Sequence, residues 1–281
     1  MKHHALLSGS LPMLMIFSLT TILAKSGSNA TSDVVAVDMS IERSVLSLHE
    51  PVVLTLTIAN GRPEPIQVDL GKDRKENFKI AITPPKGEKV YLPQLRKSGF
   101  GRTGNVTIPG GQSYLQNIVL NEWYNFAGAG VYGIDVELAK PATAAGNIVG
   151  GQSFRTTLEI GPRDEEALAR RCEALASGVE ASSSYERSAE NALALSYVND
   201  PVAVPYLARS LTANKLVEPI AIEGLERIAT TGAVRALGPA LNMSINHSSV
   251  LARSALARIQ TRTADPEVRE EVARVMSRAA Q

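Results

Sequence analysis

Two nine-residue stretches in the C-terminal half of the chain are nearly the same. Residues 203–211 read AVPYLARSL, and residues 233–241 read AVRALGPAL. Both fit the pattern AVxxLxxxL, whose apolar positions recur every three or four residues and therefore fall on one face of an α-helix. A helical face written twice in this way predicts a repeated structural unit.

A second echo recurs at almost the same interval. The motif Ala-x-x-small-Leu begins at Ala189, at Ala221 and at Ala252, with intervals of 32 and 31 residues. Its small residues predict positions where paired helices approach closely. A unit of about thirty residues with two short helices predicts a solenoid, because no unit can bury its apolar face without its neighbour.

Three aspartates mark predicted helix starts. Asp200 and Asp265 are each followed by proline. In that pairing the carboxylate caps the helix, and proline loses no hydrogen bond at the first helical position. Asp164 opens an acidic first turn, after which one apolar stripe follows: Leu168, Cys172, Leu175 and Val179.

These units resemble HEAT-like repeats, particularly the short variety also found in phycobilisome lyases. Residues 200–207 read DPVAVPYL and match the D-P-x-A-V-P-x-L opening of such units, and the A-x-x-A-L helix is present as well. The resemblance covers residues 185–276. It implies stacked helix pairs, and it implies a scaffold more than an activity, because most proteins with such repeats use them as scaffolds.

The N-terminal half has a different period. From residue 33 to residue 160, apolar and polar residues alternate, as they do in strands with one buried and one exposed face. Many short alternating strands separated by Gly and Pro clusters predict an antiparallel β-sandwich. The clearest predicted strands lie near residues 35–41, 54–58, 78–83, 106–108, 114–120, 134–138 and 154–160.

This half is similar to bacterial immunoglobulin-like or fibronectin-like domains. Residues 50–60, EPVVLTLTIAN, and residues 130–136, GVYGIDV, are similar to early and late strands of such domains, with Tyr132 at the place of a corner tyrosine. The predicted fold class is therefore β then α. An immunoglobulin-like sandwich over residues 31–160 precedes a short HEAT-like α-helical solenoid over residues 161–281.

The N-terminus predicts export. Residues 11–23, LPMLMIFSLTTIL, have the length of a signal-peptide core, and small residues before position 31 suit a leader peptidase. Residues 1–30 are therefore predicted to be a signal peptide of a periplasmic or secreted protein. The alternative is an uncleaved segment that anchors the chain in a membrane. No later run reaches transmembrane length, so the mature form is predicted not to be membrane-embedded.

The charge and the cysteine count exclude other classes. Loss of Lys2 and Lys25 with the signal peptide changes the formal net charge from +1 to −1. A nearly neutral protein is not a general binder of nucleic acid or of membrane surfaces. Cys172 is the only cysteine, so no intrachain disulfide can form.

The catalytic inventory is small. His49 and His247 are the histidines that remain after cleavage, and neither has the second histidine of a zinc-protease helix. The serine-hydrolase patterns G-x-S-x-G and S-x-x-K do not occur. Both histidines are interpreted as surface or edge residues, and Cys172 as a buried thiol with a raised pKa. The sequence thus predicts no enzyme, no catalytic or metal residue and no cofactor.

A glycine-rich stretch imitates a phosphate-binding loop. Residues 99–106 read GFGRTGNV, but a dinucleotide site would need a helix to begin at the last glycine, whereas VTIPGG reads as a strand and a turn. The stretch also fits the glycine loop of protein kinases, but the sequence lacks the lysine strand, the His-Arg-Asp loop and the Asp-Phe-Gly motif that a kinase needs. The stretch is interpreted as a loop or hairpin.

Two groups are candidates for binding. Residues 72–102 hold nine basic and three acidic side chains, which would steer an acidic partner toward Arg96, Lys97 and Arg102. The alternative is an ordinary solvated loop. Trp123 and Tyr124 belong to the densest aromatic group, which would anchor a protein or a sugar if exposed, or would close the end of the sandwich core if buried.

The predicted function is an exported, non-catalytic protein-binding or scaffold protein that uses both regions as interaction surfaces. Two alternatives stay open. One is a carbohydrate-binding or inhibitor module in the sandwich. The other is a lyase-type enzyme related to the phycobilisome lyases.

Overall fold

The computed structural model of the protein describes residues 35–70, 78–93, 104–138, 143–144, 147–148, 153–241 and 247–279. A β-rich N-terminal region is followed by a helical C-terminal region, and residues from Ser32 onward belong to one compact unit. The predicted signal peptide lies outside the described residues, so it stays a prediction.

Twelve strands are described, and they form three sheets. The strands are β1 (Val35–Ile41), β2 (Val45–Ser47), β3 (Val53–Asn60), β4 (Ile66–Asp69), β5 (Phe78–Thr83), β6 (Val90–Tyr91), β7 (Asn105–Ile108), β8 (Ser113–Val119), β9 (Gly130–Leu138), β10 (Thr143–Ala144), β11 (Asn147–Ile148) and β12 (Ser153–Gly161). Their orders are β1-β3-β8, β11-β10-β4-β7 and β2-β12-β9-β5-β6.

The strand pairs are antiparallel, as predicted, with one exception. β2 runs parallel to β12, with Val45 opposite Glu159. Residues 42–44 carry the chain from β1, which pairs with β3, into a different sheet, where β2 lies beside a strand that runs in its own direction.

One apolar core takes the inward side chains of all three sheets. In β3, Leu54, Leu56 and Ile58 are fully buried and alternate with the partly exposed Thr55 and Thr57. This two-residue period is the one that the sequence predicts.

Seven helices follow in the described residues: α1 (Glu165–Ala181), α2 (Tyr185–Ser196), α3 (Val204–Ala213), α4 (Glu218–Ile228), α5 (Thr231–Leu241), α6 (His247–Arg262) and α7 (Pro266–Arg278). The predicted caps at Asp200 and Asp265 are confirmed, and Asp164, predicted only as part of an acidic first turn, is a cap as well. Asp164 accepts a hydrogen bond from the Ala167 amide at 3.0 Å, and Asp265 accepts one from the Glu267 amide at 2.9 Å. Asp200 caps a short 3-10 turn before α3.

The helices contact one another in two alternating series. One series is α1, α3, α5 and α7, the other is α2, α4 and α6, and helices adjacent in the chain also touch. The echo residues occupy matching buried positions: Ala189, Ala221 and Ala252 in the second series, and Ala203 and Ala233 at the first, are fully buried. The repeated letters therefore mark inward-facing positions.

The predicted close approach of helices is confirmed at Gly224. A Cβ atom at this position would lie 2.9 Å from Cα of Ser196 on α2 and 2.9 Å from Cδ2 of Leu207 on α3. Since both distances are well inside van der Waals contact, three helices meet here only because the side chain is a hydrogen.

The β-rich and helical regions share an apolar interface. Val53 of β3 and Val119 of β8 pack with the core of the helices and not with the core of the sheets. Beside them, Arg171 of α1 donates two hydrogen bonds to the Glu42 carboxylate, at 2.9 and 2.5 Å. Helices α1 and α2 therefore cover one end of the outer face of the β1-β3-β8 sheet.

Candidate functional site

The basic binding candidates Arg96, Lys97 and Arg102 lie outside the described residues. The proposal that they steer an acidic partner therefore stays a prediction.

Trp123 and Tyr124 are partly buried and pack against the β core. The Tyr124 ring meets Phe126 edge-on, with ring centroids 4.9 Å apart, and lies 6.4 Å from the ring of Tyr132. Burial, and to a smaller extent Tyr132, raises the pKa of Tyr124. These contacts are those of the alternative interpretation, in which the aromatic rings close the end of the core.

The chemically suggestive residues of the sequence occupy structural positions. Cys172 is fully buried, and burial raises the pKa of its thiol to about 12, as the sequence predicts in direction. His247 is exposed and His49 is partly exposed. After Gly104 the chain enters strand β7, which confirms that no helix follows the glycine-rich stretch.

The described residues show neither a cluster of metal ligands nor a membrane-spanning helix. Within the described ranges, no three His, Cys, Asp or Glu side chains are grouped so that they could hold a metal ion. No described helix is both long and apolar enough to pass through a bilayer.

A groove of about 950 Å³ lies between the outer face of β3 and β8 and the helices α1 and α2. Its floor is apolar, and its rim carries hydroxyl, amide and charged side chains. The floor residues are Val53, Val119, Leu175 and Leu193. An apolar centre within a polar rim is the usual composition of a protein-binding surface.

Two large side chains stand exposed at this groove. Leu115 of β8 is 63% exposed, and Tyr185 at the start of α2 is 40% exposed. The folded chain leaves these surfaces in water, so a bound partner that covers them would gain free energy from the burial of their apolar atoms. Tyrosine is also enriched among the residues that dominate binding energy.

Strand β8 presents an open edge to the groove. Among the described residues it hydrogen-bonds to β3 and to no other strand. The residues of β8 that line the groove include Leu115 and Asn117 on its outward face and Tyr114 and Gln116 on the other. An open edge of this kind can accept another strand.

Glu190 of α2 lies in the groove as a half-buried carboxylate. The Asn117 side-chain amide donates a hydrogen bond of 2.9 Å to its Oε2 atom. Burial raises the pKa of Glu190, although the bond from Asn117 and the charge of the nearby Arg187 oppose the shift. No arginine or lysine of the described ranges forms an ion pair with it.

The groove has the composition of a binding site. Its described lining contains neither histidine nor cysteine, and its polar groups are amides, hydroxyls, carboxylates and guanidinium groups. Such groups can orient a ligand through hydrogen bonds while the apolar floor buries it. Sequence reasoning missed this site, although Leu115, an apolar residue at an outward position of an alternating strand, was a usable signal.

No protein-family model matches the chain, and a search of curated proteins finds no match. Among solved structures, the chain is similar to the sporulation control protein Spo0M from Bacillus subtilis, with 14% identity and a TM-score of 0.27 over 50% of this chain and 56% of that one. It is also similar to a β-glucosidase from Listeria innocua, with 9% identity and a TM-score of 0.25 over 46% of this chain and 16% of that one. The chain thus spans little more than half of the first protein and a small part of the second. At these TM-scores the likenesses support no statement about fold or function.

Proposed function

We propose that the protein is an exported, non-catalytic binding or scaffold protein, and that the groove between β8 and α2 holds its protein partner. The observation that carries the proposal is the groove itself, where an apolar floor, two exposed apolar side chains and a polar rim lie together. Export is proposed from the apolar run at residues 11–23 and the small residues that follow it.

The proposal includes the finer architecture of the β-rich region, an immunoglobulin-like sandwich. It is supported by Tyr132, whose hydroxyl donates a hydrogen bond of 2.8 Å to the carbonyl of Gly128, four residues upstream. A buried tyrosine that bonds back to the backbone just upstream is a feature of tyrosine corners in such sandwiches.

A HEAT-like solenoid is proposed for the helical region. It is supported by side-chain hydrogen bonds that recur at a nearly constant sequence interval. Two bonds within the first helix series span 36 residues, and two within the second span 31 and 32 residues. They join Arg209 to Glu173, Arg235 to Glu271, Arg227 to Ser196 and Arg258 to Glu226. Regular bonds between successive units are expected where each unit is stabilised by its neighbours.

The test compares one groove variant with a matched control. Leu115→Arg places a charge at the centre of the groove, and Leu216→Arg changes a leucine of nearly equal exposure, 61%, in the turn between α3 and α4. Each tagged protein captures partners from the exported proteins of the producing organism, and each captured protein is purified and titrated against all three forms.

We expect the wild type and Leu216→Arg to bind the same purified protein, and Leu115→Arg to lose at least about tenfold in affinity. Equal binding by all three forms would remove the groove from the proposal. Turnover in a broad enzyme panel, abolished by one substitution, would overturn the non-catalytic function.

A second observation favours carbohydrate binding on another face. Tyr91 of β6 is 69% exposed beside a charged cluster in which Asp135 pairs with Lys89 at 3.0 Å and with Arg155 at 2.5 Å. An exposed ring next to fixed polar groups suits the apolar face and the hydroxyls of a sugar. Binding on a glycan array that disappears with Tyr91→Ala but persists with Leu115→Arg would support this function.

A further inference from the structure

The position of Glu190 lowers the stability of the fold, because a charged carboxylate is partly removed from water there. This half-buried carboxylate has lost water and accepts hydrogen bonds from Asn117, and it forms no ion pair with a lysine or arginine of the described residues, although the charge of Arg187 acts on it. The charge is nevertheless held at the groove and not in the core, with the exposed Leu115 and Tyr185 in the same lining. A binding site tolerates such a group when the ligand supplies a cation that pairs with it directly.

Strand β8 is unusual in a different respect, because its edge is open to pairing with another strand. Natural proteins protect long edge strands with lysine, proline, bulges or covering segments. The seven residues of β8, SYLQNIV, contain no charge and no proline, and Leu115 is exposed at its centre. The other seven-residue edge strand, β1, carries the exposed Asp38. β8 is thus the long edge strand that the described structure leaves unprotected.

These two features lie within one side chain's reach of each other. Asn117 belongs to β8, and its amide touches the Glu190 carboxylate on α2 at 2.9 Å. A strand added to the edge of β8 would therefore pass close to Asn117 and to the Glu190 carboxylate. Because alternate side chains of a strand point the same way, one of them would face the Glu190 carboxylate.

We propose that the segment bound in this groove is an extended strand of the partner protein that hydrogen-bonds to the open edge of β8 and places a lysine or arginine against Glu190. The inference rests on the proposed function and names the chemistry of the partner. Apolar residues flanking the cation would cover Leu115 and the ring of Tyr185. Main-chain hydrogen bonds would supply affinity, while the cation would supply specificity.

A second copy of the same chain fits this groove poorly. If two β8 strands paired edge to edge, each would offer the sequence SYLQNIV, which has no cation for Glu190. The charge therefore favours a different protein as the occupant. Dimerisation through β8 is one outcome that the test can detect.

The test uses a library of phage-displayed random twelve-residue peptides, selected on the full-length protein and on three variants. Glu190→Gln keeps the shape and the hydrogen bond from Asn117 but removes the charge. Glu190→Lys reverses the charge, and Glu166→Gln removes the charge of a carboxylate that is 88% exposed on α1. Thermal unfolding of each variant verifies that it is folded.

We expect peptides selected on the wild type to contain a lysine or arginine flanked by alternating apolar residues. Their affinity for Glu190→Gln should fall by about tenfold or more, since a charge-assisted hydrogen bond in a partly buried site is lost. Glu166→Gln should bind as the wild type does. Selection on Glu190→Lys should enrich aspartate or glutamate at the same position.

The strand geometry is tested with N-methylated forms of the best peptide. Two peptides are compared, one methylated at its odd-numbered amides and one at its even-numbered amides. Only one of them should lose binding, because alternate N–H groups of an edge strand point to its neighbour. If both peptides bind equally well, or neither binds, the proposal that the partner adds a strand to β8 is wrong.

Three other results would also overturn the inference: no enriched peptides, peptides without a cation, or an affinity unchanged by Glu190→Gln. Dimerisation that is lost with Leu115→Arg would replace the partner protein by a second copy. If these tests fail while Leu115→Arg still abolishes capture of a purified partner, the proposed function stands and only the peptide chemistry is wrong.

Discussion

The guanidinium of Arg258 on α6 donates two hydrogen bonds, of 2.8 and 2.7 Å, to the carboxylate of Glu226 on α4. Glu226 is 8% exposed, and it lies 32 residues earlier in the chain. A bidentate pair with one buried member fixes both the distance and the orientation of the two helices. Stacking of successive units is thus specified by charge as well as by apolar contact.

We expect Arg258→Met to lower the free energy of unfolding by about 1–2 kcal/mol. The loss is smaller than that for a fully buried pair, because Arg258 is half exposed and Arg262 also approaches Glu226, at 3.4 Å. Urea denaturation measures the change. Arg253→Met, at an exposed position on the same helix, serves as the control and should change stability by less than about 0.5 kcal/mol. Equal effects would contradict a specific role for the pair.

Gly224→Ala should destabilise the protein by about 1–3 kcal/mol, since the added methyl meets the backbone of α2. The matched change is Gly232→Ala in α5, where the nearest atoms lie at 3.8 Å and the methyl has room. That variant should unfold at the same temperature or a higher one, because alanine favours helix more than glycine does. Thermal melting followed by circular dichroism compares the two, and a neutral Gly224→Ala would disprove the close approach.

Asp200 should make stability fall in acid. Arg163 donates hydrogen bonds of 2.6 and 3.1 Å to it, and this pairing holds the pKa of Asp200 below its usual value of 3.8. As the pH falls, the unfolded chain therefore takes up a proton before the folded protein does. The stability that the ionised Asp200 contributes above pH 3.8 is lost as the pH falls toward the folded-state pKa.

Asp200→Asn should lower stability at neutral pH by about 1–2 kcal/mol and should weaken the dependence on pH below about 4. Urea midpoints measured across that range test this expectation. Asp38→Asn, at an exposed position on β1, is the control. The same acid limb in wild type and Asp200→Asn would argue against the ion pair.

Glu190 should act in the opposite direction. Burial raises its pKa above 4.5, so the folded state binds the proton more tightly than the unfolded state does. Its ionisation therefore costs stability as the pH rises through the range between the two values. Glu190→Gln should be more stable than the wild type at neutral pH, with the gain vanishing below about pH 4. A less stable variant at neutral pH would mean that the carboxylate serves the fold instead.

Cys172 should react with thiol reagents only after the protein opens. It is fully buried and its pKa of about 12 leaves almost no thiolate at mildly alkaline pH. Labelling of the folded protein should be at least about a hundredfold slower than labelling in denaturing urea. A protein with Cys172→Ala and Ala181→Cys carries its thiol at an exposed position and should react rapidly in both conditions.

The sequence predicts the regular elements best. β5 occupies residues 78–83 as predicted, because Phe78, Ile80 and Ile82 alternate without interruption. β2 was missed, since three residues carry no measurable period and its parallel partner, β12, lies far along the chain. Short strands of this kind depend on tertiary pairing and not on local pattern.

The candidate site was much less predictable. Leu115 breaks the expected polarity of its strand, but the letters around Glu190 read as the polar face of an ordinary helix. What joins them is the packing of α2 on β8, through Asn117 and Glu190, which are 73 positions apart. That packing depends on the shapes of two surfaces, and no local spacing encodes it.

Strand β3 contributes side chains to two hydrophobic cores. Its Leu54, Leu56 and Ile58 face the core of the sheets, whereas Val53 faces the helices. An insertion of one residue before Val53 that shifted the register would turn every side chain over. Threonines would then face the core of the sheets, and leucines would face the helices. A single insertion would therefore disrupt the packing of both cores.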